Sequence, residues 1–133
     1  EGERVRLQFR RFDLRGTPPE CAHEYLDIFT EATDPDKDLL KTPFGGRYCG
    51  KIPPRARISW HRTIHIAFYT DNNFTTPELF AGRYKFINES KYSVGVRVKD
   101  EDCSFVIHTD QLRNGEFMSP TYPGVYPKNI TCY

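Results

Sequence analysis

Residues Gly115 to Tyr133 read GEFMSPTYPGVYPKNITCY. Pro120, Pro123 and Pro127 are interleaved with Tyr122 and Tyr126, between a glycine and Cys132. Proline removes an amide donor and fixes φ, so this is a stiff, turn-rich edge segment and not an interior strand. Tyrosine buries its ring while keeping its hydroxyl bonded. Domains seldom stop on such a stretch. It reads as the opening of a module.

The rest of the chain supplies strands. The 133 residues suit one domain of ordinary size, and the 38% hydrophobic content is enough for one core. Ten Phe and eight Tyr favour strands, and nine Gly and ten Pro mark many turns. Val5, Leu7 and Phe9 alternate with Arg4, Arg6, Gln8 and Arg10, which is the period of a half-buried strand. Tyr25–Phe29 is predicted as a second strand, with Leu26 and Ile28 on one face. Thr63–Thr70 is a third, with Ile64, Ile66 and Phe68 inward, and Leu79–Phe86 a fourth, with Phe80, Tyr84 and Phe86 on one face. Tyr92–Val98 and Phe105/Ile107 alternate again, while Glu31–Lys41 is a polar, acid-rich loop. No apolar period of 3.6 persists for three turns. Short strands between turn signals indicate an all-β antiparallel sandwich or barrel.

Cysteines and sequons indicate an oxidising compartment. Cys21 and Cys49 are 28 positions apart, and Cys103 and Cys132 are 29 apart. An even count with two similar long gaps and no CxxC suggests two sequential disulfides, although four cysteines allow three pairings. Asn73, Asn88 and Asn129 each head a permitted glycosylation sequon. No run is long and apolar enough to span a bilayer, and the charged start EGERVRLQFRR is not a signal peptide. A net charge of +1 gives no global argument for nucleic acid or an acidic membrane.

Two separate pieces resemble the CUB domains. The first is GERVRLQFRRFDL, Cys21 with EYLDI at 24–28, RYCG at 47–50, IHIAFYTD at 64–71 and LFAGRYKF at 79–86. It resembles the middle and end of such a domain. The second, CSFVI at 103–107 followed by GEFMSPTYPGVYPKNITC at 115–132, resembles a domain's start, and its G-x-F-x-S-P-x-Y-P-x-x-Y-P-x-N run is highly specific. The resemblance implies a jelly-roll-like β-sandwich of two antiparallel sheets and the pairs Cys21–Cys49 and Cys103–Cys132. It divides the chain into 1–93, a CUB domain lacking its opening third, a charged linker at 94–102, and 103–133, the first segment of the next domain. Because the pieces are nearly complementary, 103–133 either folds back onto 1–93 as a circular permutation, exchanges between two chains, or hangs as a loose tail. A sandwich lacking its opening third should expose strand edges and core.

Many CUB domains bind calcium through three acidic positions. Here the first falls near Arg15–Gly16 with no acid, the second is Glu24 and the third Asp71. Calcium needs several hard oxygen ligands, and Arg15 would repel it, so no cofactor is expected and Glu24 and Asp71 are left as the residual metal candidates. His61 and His65 sit four apart without a third zinc ligand, and no HExxH, GxSxG or P-loop pattern occurs. The strongest charge feature is RYCGKIPPRARISWHR at 47–62, in which Arg47, Lys51, Arg55, Arg57 and Arg62 face no acid in sequence; it is a candidate for meeting an acidic protein or sulfated glycan. Arg4, Arg6 and Arg10 would extend it if near. The resemblance implies a non-catalytic extracellular module of the suppressor-of-lurcher or neuropilin-tolloid kind that binds protein ligands through the loops at Glu24 and Asp71 and this basic strip. Alternatives are a targeting domain of a tolloid-like metalloprotease and a glycosaminoglycan-binding module.

Overall fold

The computed structural model of the chain describes residues 2–32, 45–71, 79–92, 95–101, 103–127 and 129–133. Eight strands run in chain order: β1 (Glu3–Asp13), β2 (Glu24–Phe29), β3 (Arg47–Tyr48), β4 (Arg57–Ile58), β5 (His65–Thr70), β6 (Leu79–Asn88), β7 (Val96–Arg97) and β8 (Phe105–Val106). Sheet I has the order β4-β1-β6 and sheet II the order β3-β2-β5, all pairs antiparallel. Most of the acidic loop predicted at 31–41 lies outside the described residues.

The alternation in β1 explains its first half and fails in its second. Val5, Leu7 and Phe9 are register partners of Phe86, Tyr84 and Gly82, and all face sheet II. Continued alternation would turn Arg11 into the core and Phe12 out to solvent. A bulge at Arg10 prevents this: the register jumps from Phe9↔Gly82 to Arg11↔Ala81. An extra residue on one strand shifts every later side chain to the other face. Phe12 therefore returns to the interior, with its ring 5.6 Å from that of Phe9, and Arg10 and Arg11 are both left exposed.

The core joins these residues to Leu14, Leu26, Ile28 and the Cys21–Cys49 disulfide. Leu26 and Ile28 have no solvent exposure at all. A two-way bridge, Leu14 N–H to Gly50 O at 3.1 Å and Gly50 N–H to Leu14 O at 2.8 Å, ties the end of β1 to the chain beyond β3. Sheet I is thereby pinned to sheet II where the disulfide also crosses.

The two sides of the sandwich differ. At the β3/β4 side the inward-facing Arg57, register partner of Leu7, reaches the hydroxyl of Tyr48. At the β5/β6 side the ring contact of Phe68 with Phe80, 5.4 Å between centroids, spans the sheets. Ile66 and Phe68 pair with Ile28 and Leu26 and so point inward as the alternation requires, yet they are 43% and 50% exposed. Tyr84 and Phe86 are 72% and 53% exposed on the inner side of β6. Among the described residues no strand lies outside β5 or β6, so the exposed edges and core expected of a partial sandwich are present here.

The C-terminal segment does not fill that opening. Among the described residues β7 and β8 pair with each other alone, Val96↔Val106 and Arg97↔Phe105, so part of 94–102 is strand. Cys103–Cys132 holds the segment together, with Phe105 N–H on Tyr133 O at 2.9 Å and Tyr133 N–H on the Ser104 hydroxyl at 3.0 Å. The segment packs on the outer face of sheet I at β4. Ile58, outward-facing partner of Arg6, is 2% exposed, and a Cβ at Gly124 would lie 3.0 Å from Ile58 N. Of the arrangements considered from sequence, the structure shows a tail that contacts the sandwich and, among the described residues, adds no strand to either three-stranded sheet. Its prolines, which lack amide donors, suit such a surface-lying course.

This layout separates two kinds of inward-facing residue. Leu26→Ala should cost about 3 kcal/mol in urea denaturation, as for a fully packed core leucine. Phe86→Ala should cost less than about 1 kcal/mol, because its ring already meets water.

Candidate functional site

Three chain segments meet where β1 ends, β2 begins and β5 ends. The register pair Glu24↔Thr70 sets the last two side by side, and the backbone of Arg15 joins them by accepting the Glu24 N–H at 3.0 Å. Glu24 is buried and accepts from Arg15 N–H at 3.0 Å and from the Thr70 hydroxyl at 3.2 Å. Asp71 accepts from the Arg15 guanidinium on Oδ1 and meets His23 Nδ1 on Oδ2 at 2.8 Å. Its own N–H donates to His23 O at 3.2 Å.

The two acids singled out in the sequence are therefore brought to one corner, and a protein cation already stands there. Glu24 serves as an anchor for backbone and hydroxyl. Asp71 is neutralised by Arg15. Among the described residues no group of three His, Cys, Asp or Glu is arranged to hold a metal ion. Arg15, read from sequence as a residue that would repel a cation, is better described as the cation itself. The contribution of His23 was missed: it depends on the turn that places residue 23 against residue 71.

The basic strip does not form one patch. Arg47 lies on the outer face of sheet II, gripping Asp27 through Nε and Nη2, both at 2.8 Å, with its guanidinium 3.6 Å over Tyr25. Tyr25 in turn stacks on Tyr69 at 4.9 Å. The Asp27 hydrogen bond raises the Arg47 pKa above the ordinary arginine value. Arg57 points between the sheets, and burial lowers its pKa. Lys51 and Arg55 are exposed between β3 and β4, and Arg62 is exposed between β4 and β5. Arg4 is buried, paired with Glu89 and lying over Trp60. His61 lies outside β5, so the pair His61/His65 does not share a strand face.

Of the sequons, Asn88 is exposed at the end of β6. Its Oδ1 accepts from Ser90 N–H at 3.0 Å and from the Ser90 hydroxyl at 2.8 Å, which leaves the amide nitrogen for a glycan. Asn129 is exposed, and Asn73 lies outside the described residues.

The family model for the CUB domain matches residues 1–82. The chain belongs to the CUB domain family. It is 26% identical over 128 residues to dog cubilin (96% of the chain), 29% over 132 residues to Xenopus laevis neuropilin-1 (98%), and 28% over 159 residues to the Drosophila melanogaster dorsal-ventral patterning protein tolloid (97%). The chain spans only 3%, 12% and 14% of those proteins, respectively. A CUB sandwich with two disulfides fits an extracellular setting.

Glu24→Ala should destabilise the chain by about 2 kcal/mol in chemical denaturation, since it removes the buried carboxylate that accepts from the Arg15 N–H and the Thr70 hydroxyl. Asp71→Asn, which weakens a partly exposed ion pair, should cost less than about 1 kcal/mol.

Proposed function

We propose that the chain is an extracellular recognition module that binds a protein ligand through the corner formed by Arg15, His23, Glu24 and Asp71, without calcium. The observation that carries the reading is the Arg15–Asp71–His23 array resting on a buried Glu24. A fixed guanidinium orders the loop ends from within, where a metal ion would otherwise have to do so. The corner then presents an imidazole–carboxylate pair on a rigid base, the kind of preorganised polar group that loses little entropy on binding. That the relatives match across both CUB-like pieces supports reading 103–133 as the opening of a second CUB domain after 1–93 and the connection 94–102.

A second reading, a targeting domain within a tolloid-like protease, is favoured by the match to tolloid. It uses the same corner and differs only in what else the parent protein contains.

The test is a screen of the chain against an array of extracellular proteins, run in millimolar calcium and again in chelator. Retention should be equal in both and fall about tenfold in Arg15→Ala/Asp71→Ala. Ligands retained only with calcium would refute the reading. Calorimetry should show no heat of calcium binding up to millimolar concentration.

A further inference from the structure

The bulge in β1 has an effect outside the core. On the outer face of sheet I the register sets Arg6 opposite Lys85 and Gln8 opposite Arg83, and the bulge adds Arg10 and Arg11 to the same side. Five cations thus line two adjacent strands. From Arg6 to Arg11 the strip is about 17 Å long, and the strands are about 5 Å apart. Among the described residues none of the five takes part in an ion pair; the salt bridges belong to Arg4, Arg15, His23, Arg47 and Arg97. Arg10, Arg11, Arg83 and Lys85 are exposed, and the buried Nε of Arg6 has no hydrogen-bond partner.

Like charges placed directly opposite in a sheet destabilise it. One account is that β6 is an edge strand, and edges carry lysine and arginine to discourage pairing with other chains. That accounts for Arg83 and Lys85. It does not account for Arg6, Arg10 and Arg11, which lie on β1, the central strand of sheet I. The C-terminal segment covers this face at Ile58 on the far strand β4, and Arg4 and Ile87 at one end of β1 and β6 are buried as well, while Arg10, Arg11, Arg83 and Lys85 remain exposed.

We propose that the outer face of β1 and β6 binds a sulfated polysaccharide. A flat, linear array of cations without an apolar pocket suits a linear polyanion better than a folded acidic protein, whose docking would need a complementary shape and a buried anchor. Arginine forks match tetrahedral oxyanions bidentately. The choice of sulfated glycan among polyanions rests on the extracellular setting argued above. The surface is separate from the Arg15 corner, so either can fail without the other.

The probe is a heparin octasaccharide, titrated into the 133-residue chain at several salt concentrations. The logarithm of the binding constant should fall with log salt with a slope of about −3 to −4, from four or five neutralised charges. Arg83→Gln/Lys85→Gln and Arg10→Gln/Arg11→Gln should each weaken binding about tenfold near physiological salt and make the slope shallower by about 1 to 2. Lys51→Gln/Arg55→Gln should leave it unchanged. A slope near zero, equal loss in the Lys51/Arg55 control, unchanged binding in both strip variants, or equal binding of the desulfated octasaccharide would overturn the proposal. Tighter binding of a polyglutamate peptide than of the octasaccharide would overturn it in favour of an acidic protein.

Discussion

One extra residue in β1 organises much of this molecule. A strictly alternating strand cannot keep Phe9 and Phe12 on one side, because three steps change the face. The bulge at Arg10 absorbs the odd step. Phe12 then stays beside Phe9, and the strand arrives at Leu14 in phase to bridge Gly50, next to the Cys21–Cys49 disulfide. The same step leaves two consecutive arginines outside. Core and charged face are two sides of one parity constraint.

Beyond Leu14 the chain enters the corner where Arg15 meets Asp71. Glu24 stays buried there because both its oxygens are bonded, which offsets the cost of removing a carboxylate from water. An ordered loop end generally needs a counter-charge for such acids. Here the counter-charge is covalently part of the chain and is delivered by the strand that also carries the core. The corner and the cationic face thus lie at the end and on the back of the same β1 strand, with distinct chemistry.

Much of this was legible in the sequence. The alternations at 5–9, 25–29 and 64–68 gave the inward residues correctly, since a half-buried strand leaves that signature whatever its partners. The tyrosine–proline run at 115–132 pointed to the family. The parity slip was also written there, in the odd spacing of Phe9 and Phe12, but a local reading stops at the last clean alternation. What pairs with Arg15 was not legible, because Asp71 is distant in sequence and is brought in only by the β2–β5 register. The placement of the charges in the strip 47–62 was not legible for a related reason. Its charges are contiguous in the chain but fall on an outer face, an inner face and two loops, whereas the cations that do share a surface come from strands far apart in sequence. Nor did the alternation at Phe80–Phe86 reveal that these inward rings meet water, since exposure depends on whether a further strand covers them.

The parity of β1 sets both the core and the charged face, and nuclear Overhauser spectroscopy of the chain tests it most directly. Ring-to-ring cross-peaks are expected between Phe9 and Phe12, 5.6 Å apart between centroids, with the Arg11 side chain showing no contact to Leu26 or Ile28. Cross-peaks from Arg11 to those core residues, with a Phe12 ring that contacts none of them, would contradict it.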